Sequence, residues 1–382
     1  VVTPPPFDQR NAAPGDPFVS AQRAVVIDAD SGRVLWARNP DSPAYPASTT
    51  KICTALVLAE ACKPDETVKA PEGIEMVGEA SLHLSSGEMM TAQDLLTGIL
   101  LRSANDGCVA AAVHVAGSVP AFAEKMNQKA REVGCTHTNF VNPNGLHDPK
   151  HVTTAHDLAM LGRAALDVPR IAEIVRRRDG QIARSVVKGD VKLKSKNALL
   201  DLDPSCRGIK TGWTVPAGHC FVGAFERNGM RLVTATLASG DWKNDHLALA
   251  TYAADHYEPV KWADVNANLT IPVQGGLKAS VAAHPAKEGK TVVSKGSGVP
   301  AVKTVFDPVK APVKVGQKVG KLFLDGPENM SIDLVASEPI DVAKSSPLSS
   351  PSSSPTLWWV GAGVSGILVA RWMGGKRRRR AR

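Results

Sequence analysis

The spacing of apolar and polar positions changes several times along the chain, and each change marks a segment. Residues 1–21 hold no period, because Pro and small polar residues interrupt every apolar run; an irregular lead-in is expected there. Ala24-Val25-Val26-Ile27-Asp28 reads as a strand, Asp30-Ser31-Gly32 as a turn and Arg33-Val34-Leu35-Trp36 as a returning strand. From Ser48 to about residue 61 the apolar positions follow a helical period. Pro46-Ala47 just upstream and a Ser at the first position mark its start. A second helix opens at Thr91, where Thr91-x-x-Asp94 resembles a capping box and Leu95, Leu96, Ile99 and Leu100 form the apolar face. Further helices are predicted over about 107–117, 120–133, 154–167 and 169–177, with Thr153 or Thr154 capping the third. Strands are predicted over 181–187, 207–213, 218–226 and 230–237, and a last helix over 245–256. Strands at both ends with helices between them predict an α/β layered domain, residues 22–257, whose sheet is assembled from distant pieces.

Beyond residue 258 the helical period is lost. Short alternating runs at 269–273, 279–281, 290–293, 313–315 and 331–335, separated by Gly, Pro and Asn, predict a small all-β domain over 258–343. Residues 344–356 are low-complexity Ser/Pro and read as an extended linker. Residues 357–375 carry an uncharged stretch, LWWVGAGVSGILVA, with Trp358, Trp359 and Trp372 at its ends. Residues 357–373 at about 1.5 Å each span roughly 25 Å, enough for a short membrane anchor. The Arg-rich tail, 376–382, would then lie on the cytoplasmic side.

Charge changes the picture less than its total suggests. The formal net charge is +8 on 382 residues, but Lys376, Arg377, Arg378, Arg379, Arg380 and Arg382 supply most of it. The rest of the chain is nearly balanced, which argues against a nucleic-acid partner. The six cysteines show no C-x-x-C pair and no Cys/His spacing typical of zinc; they read as small buried residues. Cys206 and Cys220 flank a predicted hairpin, and would be the first pair to test for a disulfide. His147 and His151 have the spacing of a helical metal pair, but Asp148-Pro149 breaks any helix between them. No metal and no cofactor is expected.

Candidate chemistry lies in three short motifs in order: Ser48-Thr49-Thr50-Lys51, Ser103-Ala104-Asn105 and Lys210-Thr211-Gly212. Residues three apart at a helix start share a face, so Lys51 can place its amine beside the Ser48 hydroxyl. A free Ser needs a base, and Lys can serve where burial and neighbouring cations such as Lys210 lower its pKa. Ser103 can relay a proton to a leaving amine, and Asn105 can hold a substrate amide. The K-T-G strand offers an extended edge, a hydroxyl and an ammonium for a carboxylate. Single motifs are weak signals: Ser185-Val186-Val187-Lys188 and Ser195-Lys196-Asn197 match the first two patterns as well, but without a helix start. The ordered set in its proper contexts is a strong one.

These motifs, with Asp30-Ser31-Gly32-Arg33-Val34-Leu35-Trp36, Pro46-Ala47, Leu101-Arg102, Phe140-Val141 to Gly145-Leu146 (FVNPNGL) and Gly208-Ile209 to Trp213-Thr214, resemble the low-molecular-weight penicillin-binding proteins, the serine D-Ala-D-Ala carboxypeptidases. The resemblance implies a β-lactamase/transpeptidase-like fold with a central antiparallel sheet and a helical subdomain, then a β-rich domain and a C-terminal membrane attachment. It implies Ser48 as acylated nucleophile, Lys51 as proton acceptor and Ser103 as relay, with Asn105, Lys210, Thr211, Gly212 and Trp213 in substrate binding. An oxyanion hole from the Ser48 and Trp213 N–H groups is also implied. The expected partners are a peptidoglycan stem peptide ending in D-Ala-D-Ala, β-lactams as covalent inhibitors, and the membrane. The expected location is the bacterial cell envelope, outside the cytoplasmic membrane. A D,D-endopeptidase, a β-lactamase and a non-enzymatic penicillin-binding scaffold are the alternatives. Against a β-lactamase, Glu124, Glu132 and Glu173 are followed four residues later by Gln128, Thr136 and Arg177, so the E-x-x-x-N pattern is missing. Many relatives carry a carboxylate-binding Arg shortly after the K-T-G sheet, whereas the segment 239–245 here has only Lys243, which leaves carboxylate recognition to Lys210 and Thr211.

Overall fold

The computed structural model describes residues 15–343, apart from 187–189, 307 and 326–329; the segments expected to form the linker, the membrane anchor and the basic tail lie outside the described residues. Close contacts divide the chain into two compact units, with the boundary between Glu258 and Pro259.

The first unit begins with the hairpin β1 (Arg23–Asp28) and β2 (Val34–Arg38), followed by a 3-10 turn, Ala47–Thr50, and α1 (Lys51–Ala61). The short strands β3 (Thr67–Lys69) and β4 (Met89–Thr91) lead to α2 (Ala92–Thr97) and a π turn, Gly98–Arg102. Next come α3 (Asn105–Ala116), α4 (Val119–Glu132), α5 (Ala155–Leu166) and α6 (Pro169–Val175). The hairpin β5 (Asp179–Ile182) and β6 (Val191–Lys194), the short α7 (Leu199–Leu202), β7 (Cys206–Thr214), β8 (Gly218–Arg227), β9 (Met230–Ser239) and α8 (Trp242–His256) complete it.

Five strands form one antiparallel sheet in the order β2-β1-β9-β8-β7. Strand alternation places helices on both of its faces. A side chain at Gly162 of α5 would meet Val222, Val233 and Ile209, so that helix lies against one face. His246 of α8 bonds to Thr234 and Thr236, which point to the opposite face. Every residue of β1 is buried as a result. Residues Lys51–Leu58 of α1 are all buried as well, which makes it a core helix rather than an amphipathic one. The expected caps form: Thr91 accepts from the Asp94 N–H and Thr154 from the Asp157 N–H.

Several expectations need correction. The helix expected from Ser48 starts as a 3-10 turn and becomes α-helical at Lys51. The strand expected over 181–187 is β5, which starts two residues earlier and ends at Ile182, and its partner β6 was not foreseen. In β6 only Leu193 is buried between exposed Lys192 and Lys194, so it lacks a conspicuous apolar run. Cys206 and Cys220 form no disulfide; all six cysteines are free and buried. In the hairpin register Cys206 faces Phe225 and Cys220 faces Gly212, so the two thiols are never cross-strand neighbours.

The second unit is all β, from β10 (Tyr257–Ala263), which enters it, through β11 (Leu269–Gln274), β12 (Ser280–Pro285), β13 (Gly289–Ser294), β14 (Val302–Val305), β15 (Val309–Lys310), β16 (Lys318–Leu324) and β17 (Ser331–Ala336). Six strands form a sheet in the order β14-β16-β17-β12-β11-β15, over a core that includes Ile271, Val281, Leu322 and Leu334. The run at 313–315 makes only an isolated bridge, Val313 to Ile340, and the longer β16 was not foreseen. Among the described residues no single helix is long and apolar enough to cross a membrane.

His246 makes stability sensitive to acid. It is fully buried, and burial lowers its pKa to about 3. The unfolded chain takes up its proton near pH 6.5, so stability should fall as pH drops from about 6.5 towards 3, by on the order of 1 kcal/mol per pH unit. Urea midpoints measured across that range should decline more gently in His246→Gln; equal slopes would refute the assignment.

Candidate active site

Three elements converge on Ser48. The first is the 3-10 turn that carries it. Pro46 O accepts from both the Thr49 N–H (3.3 Å) and the Thr49 Oγ1 hydroxyl (2.7 Å), which closes the turn. Ala47, just before the serine, takes a left-handed φ of 49°. Non-glycine residues rarely do so without support. Support comes from Gly145, where an added Cβ would stand 1.8 Å from Ala47 O and 2.9 Å from Thr50 Oγ1. Behind the turn, His151 Nδ1 accepts from the Val141 N–H (3.0 Å), which leaves the hydrogen on Nε2 to donate to Thr50 Oγ1 (2.8 Å). Burial lowers the His151 pKa to about 4, so the ring is neutral and acts as a fixed strut.

The second element follows the π turn. Ser103 is buried and left-handed, with φ 67°, and α3 then opens at Asn105. Asn105 is held by a loop: its N–H donates to Ala80 O (2.7 Å) and its Nδ2 to Gly78 O (3.3 Å). That loop hangs on Asp106, which accepts from Ser81 Oγ (2.6 Å) and from the N–H groups of Leu82 and Leu84. Fixing Nδ2 in this way turns Asn105 Oδ1 towards Lys51.

The third element is β7, an edge strand of the sheet. Its Gly212 lies so close to the Ser48 turn that a Cβ would be 2.8 Å from Ser48 N and 3.0 Å from Thr49 N. The glycine of K-T-G is therefore required by close approach of two backbones. Lys210 is buried on the Gly212 side of the strand, and its Nζ donates to Thr211 O (2.8 Å). Trp213 shares the other side with Thr211. It is 56% exposed and pairs across the hairpin with His219, ring centroids 6.4 Å apart. Lys243, in the first turn of α8, is exposed, with Nζ 6.0 Å from the Trp242 ring.

Lys51 sits at the centre. Its Nζ donates to Ser48 Oγ (2.9 Å), Asn105 Oδ1 (2.8 Å) and Asn144 O (2.5 Å). Two of these partners can only accept. When the amine loses a proton, its lone pair can therefore be satisfied only by the Ser48 hydroxyl. Burial, with a smaller contribution from the Lys196 charge, lowers the Lys51 pKa to about 8. Burial, then repulsion from Lys51 and Lys196, pushes Lys210 well below the usual lysine range.

The structure thus brings Ser48, Lys51, Asn105 and the K-T-G strand together. Sequence reasoning missed Asn144, Gly145 and His151, although FVNPNGL contains the first two. It also passed over Lys196 as part of an incidental S-x-N match, yet the charge of Lys196 reaches both Lys51 and Lys210. Ser185 of the second S-x-x-K match lies in a turn and accepts from the Met89 N–H. Its context has no helix start, in contrast to that of Ser48.

The family description for D-alanyl-D-alanine carboxypeptidases matches residues 10–240. A D-alanyl-D-alanine carboxypeptidase of Bacillus subtilis, DacF, is 29% identical over 316 residues, 80% of this chain and 81% of its own. DacA of Haemophilus influenzae, named for the same activity, is 30% identical over 338 residues, covering 83% and 84% of the two chains. The crystal structure of penicillin binding protein 5 from Haemophilus influenzae superposes with a TM-score of 0.69 at 28% identity, covering 85% of this chain and 98% of that one. With the ordered motifs, the lysine-centred site and these matches in hand, the chain belongs to the D-alanyl-D-alanine carboxypeptidase family of serine peptidases.

Proposed function

We infer that this protein removes the terminal D-Ala from peptidoglycan stem peptides through an acyl-enzyme on Ser48. The observation that carries the reading is the Lys51 amine, 2.9 Å from Ser48 Oγ and otherwise bound only to acceptors. Neutral Lys51 takes the hydroxyl proton as Oγ attacks the carbonyl carbon of the penultimate D-Ala. The oxyanion is held by the Ser48 and Trp213 N–H groups. The proton passes by way of Ser103 to the leaving amine, and free D-Ala departs. Water then attacks the ester, and Lys51 takes its proton, which returns to Ser48 Oγ as the acyl group leaves. The peptide lies along the free edge of β7, with its terminal carboxylate towards Lys210 and Thr211. Asn105 Nδ2, whose contact to Gly78 O is long at 3.3 Å, can turn to a substrate carbonyl. A β-lactam presents a similar amide and acylates the same oxygen.

The test is to incubate the protein with a labelled penicillin and map the adduct, then to offer a peptide ending in D-Ala-D-Ala. A single adduct on Ser48 and release of D-Ala are expected. Labelling at any other residue, or intact peptide beside a labelled enzyme, would overturn the reading.

A further inference from the structure

Cys62, Glu66 and His114 meet in space although 52 residues separate the first from the last. One donor atom from each, thiol sulfur, carboxylate oxygen and imidazole nitrogen, lies within 4.8 Å of the other two. The cluster has no role in the chemistry of Ser48. Cys62 caps the C-terminal end of α1, the helix that begins at Lys51. His114 stands in the last turn of α3, the helix that begins at Asn105. An 11-residue helix is about 16 Å long, so the cluster is a full helix length from the reacting atoms.

Its parts are held in place. Cys62 N–H donates to Leu58 O (3.0 Å), and Cys62 O accepts from Arg170 Nη2 (2.7 Å). The Glu66 main chain is tied to the start of α2, whose Ala92 N–H donates to Glu66 O (2.8 Å). Glu66 Oε2 accepts from the Lys63 N–H (3.1 Å), which leaves Oε1 facing His114 Nε2 at 2.9 Å. Two ligands at about 2.0–2.1 Å from a tetrahedral ion are about 3.3 Å apart, so that pair needs to open only slightly. The cysteine is buried, while the Glu66 and His114 side chains are 39% and 26% exposed. An ion can therefore enter from solvent and keep one water.

We propose that Cys62, Glu66 and His114 form a zinc-binding site that fastens the far ends of α1 and α3 to each other. Thiolate, imidazole and carboxylate together suit a borderline ion such as Zn²⁺ and disfavour Mg²⁺ or Ca²⁺. On binding, the Cys62 thiol releases its proton to solvent, His114 carries its hydrogen on Nδ1, and the hydrogen bond to Glu66 gives way to two metal bonds. No electrons move. The ion acts as a brace, because a ligand that binds only the folded chain stabilises it.

The experiment uses the untagged full chain stripped with a chelator. Titration with Co²⁺ should give one ion per chain and an intense near-ultraviolet thiolate-to-cobalt band. Zn²⁺ should displace it and raise the melting temperature by several degrees. The band should vanish in Cys62→Ser. His114→Ala, a change at a partly exposed position, should bind at least tenfold more weakly even if the serine variant folds poorly. Penicillin acylation should be unchanged in His114→Ala. Absence of the band, a stoichiometry well below one, or equal binding by wild type and His114→Ala would each overturn the site.

Discussion

Replacing Lys51 by alanine should slow acylation of Ser48 by a labelled penicillin by about 10²-fold to 10⁴-fold, the range expected for loss of a positioned base. The fold should survive, because Ser48, Asn105 and Asn144 are each anchored by the backbone of a different element. In the wild type the same lysine should shape the pH profile. Only the neutral amine can accept the Ser48 proton, so acylation should rise with pH and level off above an apparent pKa near 8. At pH 7 about one molecule in ten then holds the neutral amine, against roughly one in several thousand for an unperturbed lysine. Single-turnover acylation across pH 6–10 measures both quantities. A Lys51→Ala enzyme within tenfold of wild type would remove Lys51 from the mechanism.

Gly145→Ala should be nearly as damaging, although residue 145 touches no reacting atom. The added methyl would stand 1.8 Å from Ala47 O, far inside contact distance, and the glycine itself has φ 82°. Both the steric and the conformational cost fall on the turn that presents Ser48. Stability should drop by about 3 kcal/mol or more. A displacement of the turn by about 1 Å should cost a further 10²-fold in acylation of the molecules that remain folded. Urea unfolding and acylation rate together test this. Alanine at residue 145 with wild-type values of both would mean that the turn does not depend on its neighbour.

Some of this was legible from spacing alone. Ser48 and Lys51 are three residues apart at a helix start, so their juxtaposition is local and the pattern could expose it. The sheet was legible as strands because apolar runs such as Val25-Val26-Ile27 and the segment from Met230 have the right length. What escaped depended on contacts between distant segments. Asn144 contributes a main-chain carbonyl, which carries no side-chain signature. Gly145 matters for the atoms it lacks, and only the backbone passing over it reveals this; Gly212 was marked by its motif, but the close approach that requires a glycine there was not. Lys196 acts through its charge rather than through a bond, and its motif match pointed to the wrong reason for interest. Cys62 and His114 fit no metal spacing, because two helix ends bring them together.

The strand order has a consequence for how the protein is made. β1 lies inside the sheet, between β2 and β9, so Arg23 pairs with Leu237 across more than two hundred residues. A ribosome releases the partners of that pairing at opposite ends of synthesis. Closing so long a loop is entropically costly and must precede the contacts that repay it, so folding should be slow and late. Until β9 emerges, β1 and β2 have no sheet to join, and β7 and β8 have only each other. Penicillin acylation then serves as a clock for maturation, since chains released before about residue 239 lack the sheet on which the reactive turn rests.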